Sequence, residues 1–171
     1  MIPLKDSIPN AFRPYMVWTI VGMNALVFLY TMGLGDFQLA RFFHLYGVVP
    51  ARLTHPEMAV MAGYPDGGYY TLITHMFIHG DFLHFLLNSW MMWIFADNIE
   101  DVMGPFRFLF FYLVCGPGAL LTHILLNYDS SIPVVGASGA IAGVMGAYFL
   151  LYPHSRVITF IPIIIIPYIL E

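Results

Sequence analysis

The chain has 171 residues, enough for one domain; 60% are hydrophobic and only 9% charged, against about a quarter charged in soluble domains. Six Lys and Arg with ten Asp and Glu cannot coat a water-soluble particle of this size, so the apolar surplus requires lipid. The net charge of −4 leaves no basic patch and excludes nucleic acid as a partner, and the lone Cys115 excludes a disulfide framework.

Residues 1–16 carry Lys5 and Arg13 and read as a cytoplasmic tail. The run Val17–Leu34 follows without a cleavage-type site, which predicts a retained spanning helix. Gly35–Gly80 holds Pro50, Pro56, Pro65 and the Gly67-Gly68 pair, so it reads as a long first loop. Within it Ala40–Leu53 has apolar residues at helical spacing, with Arg41 and Arg52 near its edges, which predicts one helix lying in the membrane interface. Three spans are predicted next, Phe82–Ile99, Phe106–Leu126 and Val135–Tyr152, and a fifth begins at Val157. The fold class is therefore an all-α, polytopic membrane helical bundle of about five spans forming a single domain over residues 1–171. Arg107 and Arg156 fall on the same side as Lys5 and Arg13, which predicts a cytoplasmic amino terminus. No internal repeat supports a transporter of inverted halves.

Polar groups at bilayer depth are costly and ask for a reason. His84 and Asn88 are four apart and share a helix face, which suits an anion cradle or a polar contact gluing helices together. His75, His79 and His84 invite a metal reading, but their spacing and the absence of an H-E-x-x-H pattern speak against it, so no metal is expected. Histidines lining a proton or ion pathway would need polar partners along several spans, and the third and fifth runs offer few. Gly136-Ala137-Ser138-Gly139 opens a span: a serine there suits a nucleophile beside free helix N–H groups, or an N-cap followed by a small-residue packing face at Gly139 and Gly143.

Taken together and in order, His75-x3-His79-x4-His84-x3-Asn88, then Glu100 and Gly104, then Gly136-Ala137-Ser138-Gly139, resemble the rhomboid intramembrane serine proteases. The stretches Tyr46–Ala51 and Tyr112–Gly116 resemble that family's first loop and third helix. The resemblance implies a serine endopeptidase without cofactor, acting on transmembrane protein substrates amid membrane lipid. Ser138 would be the nucleophile, and His84 and Asn88 would join backbone N–H groups in the oxyanion hole. His79 and Gly136 would be structural beside the site, Gly139, Gly143 and Gly146 would let helices pack closely, and Asp97 and Glu100 would belong to a polar network at the far end. The family's general base is a histidine on a sixth helix, and too few residues follow Ser138 to build two further spans of about 20 residues each. His123 and His154 then read as a packing histidine and an interfacial one. The chain is accordingly expected to be the amino-terminal part of such a protein, inactive by itself, in a bacterial-type cytoplasmic membrane. The rival is a rhomboid-like pseudoprotease that binds transmembrane clients without cutting them.

Overall fold

The computed structural model describes residues 2–162 and 167–170. In chain order the elements are β1 (Ile2–Asp6), α1 (Tyr15–Met32), α2 (Asp36–Tyr46), α3 (Pro50–Thr54), α4 (Pro56–Met61) and α5 (Thr71–Thr74), which runs into a 3-10 turn (His75–Phe77). Then come α6 (Phe82–Met103), α7 (Pro105–Leu126), α8 (Ser138–Leu151), β2 (Val157–Pro162) and β3 (Pro167–Leu170). The helical bundle expected from the sequence is present, and α1, α6 and α7 lie where three apolar runs predict helices.

Among the described residues, α1 and α7 are long and apolar enough to cross a membrane. The 22 residues of α6 give about 33 Å, enough for the ~30 Å hydrocarbon core, although His84, Asn88, Asp97 and Asn98 make it more polar. Its partners explain that polarity. The core forms where four helices meet: Val17 and Ile20 of α1, Met92, Ala96 and Ile99 of α6, Phe108 and Tyr112 of α7, and Ala140, Val144 and Tyr148 of α8 are all buried. α8 lies tightly on α7, since a Cβ added at Gly143 would sit 2.5 Å from Cys115 Sγ and one added at Gly139 would sit 2.8 Å from the Ala119 Cβ. Gly146 has open space instead and packs against nothing.

Three expectations need correction. The single interfacial helix Ala40–Leu53 is two helices, because Pro50 disfavours helical backbone at Val49, which is extended (φ −104°, ψ 109°), while Val48 pairs with Val134 as an isolated bridge. The fourth span begins at Ser138 rather than Val135, because Val134 is in that bridge and Gly136 has φ +122°, outside any helix. The fifth span from Val157 is not helical in the described residues. Instead β2 pairs antiparallel with β1 and β3, in the order β1-β2-β3, as fits its β-branched Val157, Ile158 and Thr159 and prolines at 162 and 167; residues 163–166 lie outside the described part.

The amino-terminal segment is strapped onto the end of α6. The buried Glu100 carboxylate accepts the Met16 and Val17 amides at 2.9 and 2.8 Å, two of the donors that the first turn of α1 leaves without a helical partner. Asp101 accepts the Ala11 and Phe12 amides, Asp97 accepts from Asn10 Nδ2 at 2.6 Å, and the Trp90 indole donates to the Pro3 carbonyl at 2.7 Å. The buried Asp6 receives both Asn98 Nδ2 (2.7 Å) and the Tyr148 hydroxyl (2.9 Å), tying β1 to α6 and α8. The polar network expected around Asp97 and Glu100 is thus a clamp on residues 6–17.

The first loop is organised by Arg52, 1% exposed. Its guanidinium donates to the carbonyls of His44, Leu45 and Asp66, to the Tyr70 hydroxyl, and to the Asp66 carboxylate at 2.7 Å, and it sits 4.8 Å from the centre of the Tyr64 ring. A planar fork with five donors is needed to satisfy that many acceptors in one plane.

Glu100→Ala removes a charged acceptor and strands one buried and one part-buried amide. It is expected to lower stability in detergent by about 3 kcal/mol, against about 1 kcal/mol or less for the more exposed Asp101→Ala, as read from equilibrium unfolding. Arg52→Lys keeps the charge and loses the fork; limited proteolysis should cut residues 55–70 faster in this variant while leaving α6–α8 protected.

Candidate active site

Asp81 caps α6, its carboxylate accepting the His84 amide at 2.8 Å. An Asp just before an apolar run is a readable helix start, and here it fixes the turn that carries His84. The His84 ring lies against Gly136: a Cβ there would be 2.6 Å from His84 Nε2. Gly136 is buried with φ +122°, so both its backbone and the imidazole above it exclude a side chain. The Gly80 amide makes a long 3.5 Å approach to His84 Nδ1. With Nδ1 as acceptor, Nε2, the nitrogen beside Gly136, is the N–H donor of the ring.

The same glycine is held from below. Its amide donates to the His75 carbonyl at 2.9 Å, and His75 is buried with Nδ1 on the Thr71 carbonyl at 2.9 Å. The 3-10 turn therefore anchors the segment that leads into Ser138. Burial lowers the His75 pKa, and burial together with the neighbouring His84 pushes that of His79 down to about 4. His79 is 1% exposed, its ring edge-on to His84 (5.2 Å between centres) and to Phe85 (5.7 Å). It is a neutral wedge beneath the His84 ring.

Ser138 is the first residue of α8, preceded by Ala137 at the cap position, and the helix has no side-chain cap. The N-cap reading of the serine is thereby set aside, and its hydroxyl is free for other work. Ser138 is exposed and opens onto a cleft of about 170 Å³ shared with His75, His123, Val135, Gly136 and Gly139. His84 and Asn88 do not hydrogen-bond it; Asn88 is buried and its Nδ2 donates to the His84 carbonyl at 2.9 Å. The structure thus brings Ser138, Gly136 and His84 into one corner, with Asn88 one turn behind His84. His123, expected to be a packing residue, is exposed and lines the serine cleft. His154 lies beyond α8, away from that cleft. Among the described residues no three His, Cys, Asp or Glu side chains are grouped to hold a metal ion.

Sequence reasoning missed the way the first loop braces this corner. Besides the Val48–Val134 bridge, the Ala51 amide donates to the Ser130 carbonyl (3.0 Å), the Thr54 hydroxyl to the Tyr128 carbonyl (2.8 Å), and His55 Nε2 meets Asp129 Oδ1 at 2.8 Å. These residues are scattered over 48–55 and 128–134, and no spacing rule links them.

Comparison with known proteins gives a concordant result. The Rhomboid domain family matches residues 66–170. The chain is similar to YdcA of Bacillus subtilis, 38% identical over 87 residues, covering 50% of this chain and 43% of that protein. It is similar to Rhomboid protein 1, mitochondrial, of Saccharomyces cerevisiae, 25% identical over 150 residues, covering 85% of this chain and 39% of that protein. A third relative, Rhomboid protease GluP of Bacillus subtilis, is 34% identical over 83 residues, covering 48% of this chain and 16% of that protein. The chain spans less than half the length of these curated relatives. With the matched region running from the first loop through the serine to β3, the chain belongs to the rhomboid family of integral membrane proteins.

Proposed function

We propose that this chain is the serine-bearing part of a rhomboid-type serine endopeptidase that cuts transmembrane segments of other proteins. The observation that carries the reading is the uncapped Ser138 at the open N-terminus of α8, two residues from the glycine on which His84 Nε2 rests. The printed name of the GluP relative, a rhomboid protease, points the same way.

In this reading the Ser138 oxygen bonds to a substrate carbonyl carbon while a base takes its proton. The negative charge that develops on the carbonyl oxygen meets the first-turn amides of α8 and the His84 Nε2–H, with Asn88 behind. Collapse of that intermediate breaks the C–N bond, the amine leaves with the proton, and water then cleaves the acyl-enzyme ester. The base, as the family resemblance implies, is a histidine. The amino terminus is cytoplasmic and the membrane of the bacterial cytoplasmic type. That orientation is supported by Lys5, Arg13, Arg107 and Arg156 falling at one end, where the Ser7 amide bonds the Arg156 carbonyl at 2.9 Å and Asp101 holds Ala11.

The 171-residue chain in detergent is expected neither to cleave a transmembrane substrate nor to take up a fluorophosphonate probe above its Ser138→Ala control. Labelling that depends on Ser138 would move the base into this chain, and His75→Ala and His123→Ala, the two histidines on its cleft, would identify it. In a protein extended through the sixth helix, His84→Ala should lower kcat/KM by about 10²–10³, the range of one lost oxyanion donor. Asn88→Ala should do less than His84→Ala, because its amide donor is already on the His84 carbonyl. Undiminished cleavage in both variants would remove them from the mechanism, whereas no cleavage by the extended wild-type protein would leave client binding without catalysis as the better account of the site.

A further inference from the structure

A second concavity lies in the first loop, closed on one edge by Ser131 of the loop before α8. It has a volume of about 690 Å³ and is formed between α2 and residues 62–65, with Phe37, Ala40, Leu45, Ala62 and Tyr64 in its lining and Arg41 beside them, within the size range of small-molecule sites. No carboxylate lines it. The nearby Asp66 is committed to Arg52 at 2.7 Å, and His44 Nδ1 is engaged with the Tyr64 hydroxyl at 2.7 Å. Arg41 is exposed and has neither an ion pair nor a hydrogen bond from its side chain among the described residues. An apolar floor under a single uncompensated cation is the complement of an anionic amphiphile.

The level of the cleft in the membrane follows from chain connectivity. Only residues 33–35 separate the end of the spanning helix α1 from α2, and the Tyr30 and Phe42 rings, 5.7 Å apart, hold α2 against that end. Tyr30, Tyr46, Tyr70 and Tyr128 are exposed around the same end, as in the aromatic belts at headgroup depth. A long cation beside an apolar slot at that depth meets phosphate oxygens at the height where acyl chains begin.

We propose that this cleft is a site for an anionic phospholipid, with the headgroup phosphate on the Arg41 guanidinium and an acyl chain over Phe37, Leu45 and Ala62. The site stands apart from the Ser138 cleft and does not depend on the protease reading.

The test is native mass spectrometry of the full chain released from detergent, titrated with phosphatidylglycerol or with phosphatidylcholine of the same acyl chains. The wild-type chain should retain one phosphatidylglycerol at about one-fifth of the phosphatidylcholine concentration, corresponding to the ~1 kcal/mol of one basic residue near an anionic headgroup. Arg41→Gln should abolish that preference, Arg41→Lys should keep most of it, and Arg107→Gln, at the other end of the molecule, should leave it unchanged. Ala62→Trp, which fills the slot, should weaken both lipids. Equal retention of the two lipids by the wild type, or a preference that survives Arg41→Gln, overturns the proposal. Displacement of the lipid by millimolar inorganic phosphate also overturns it, because the cleft would then be a simple anion site.

Discussion

Glu100 lies in the last turns of α6, where both the helix dipole and burial oppose a carboxylate, yet its two oxygens take the Met16 and Val17 amides at the start of α1. The first turn of a helix has amides that its own backbone cannot satisfy, and a chain with 9% charged residues has few acceptors to spare. That exchange fixes α1 antiparallel to α6. At the other end Phe28 stacks on Phe85 (4.9 Å between ring centres, 4° between planes) and lies 6.3 Å from Phe82. Clamped by polar bonds at one end and by aromatic packing at the other, α6 has no freedom to roll. His84 and Asn88, on the same helix, inherit their direction from that pair of restraints.

Long apolar runs were the readable part of the fold. Val17–Leu34, Phe82–Ile99 and Phe106–Leu126 lie within a few residues of α1, α6 and α7, because hydrophobicity alone decides where a helix can sit in lipid. Reading failed where a competing local rule governs the backbone. Pro50 and the Val48–Val134 bridge split the interfacial helix, the positive φ of Gly136 delays α8 to Ser138, and the β-branched residues from Val157 pair with β1 instead of continuing the bundle. Arg52 is the sharpest case. By type it belongs at a surface, but besides Asp66 and Tyr70 its partners are backbone carbonyls at 44, 45 and 66, which no side-chain pattern reveals. At the site, the resemblance selects Ser138, His84 and Asn88 from sequence motifs. It does not convey that the serine is open to a cleft while Asn88 is turned back on the His84 carbonyl, since both facts depend on rotamers set by packing.

The shortness of α8 has a chemical consequence. Its 14 residues rise about 21 Å, roughly two thirds of a ~30 Å hydrocarbon core. Its last full turn is tied by Tyr148 to Asp6 at the end that carries the basic residues. The helix therefore starts below the opposite membrane surface, with Ser138 at depth rather than in bulk water. Unpaired helix N–H groups are prohibitively costly in lipid, so such a start is stable only where protein or water takes those donors. The Gly136 amide is taken by the His75 carbonyl; Ser138 and Gly139, in the first turn of α8, line the open cleft. In the function proposed above, such a position would serve the two requirements of peptide hydrolysis in a membrane, donors for an oxyanion and room for a water molecule.

Residues 127–137 join these features mechanically. Ser131 lines the first-loop cleft, Asp129 and Ser130 are bonded to His55 and Ala51, Val134 is paired with Val48, and Gly136 carries the His84 ring. The loop is thus held along one side by the first loop and at its end by the helical bundle, and the serine follows directly. The segment is bonded to the first loop at 129, 130 and 134, and it ends at Gly136, whose backbone sits between the His75 carbonyl below and the imidazole above. The long first loop is then more than a cover: through Arg52 at its centre and the bonds at 48, 51 and 55 along its edge, it sets the position of the residues that present Ser138 to the cleft.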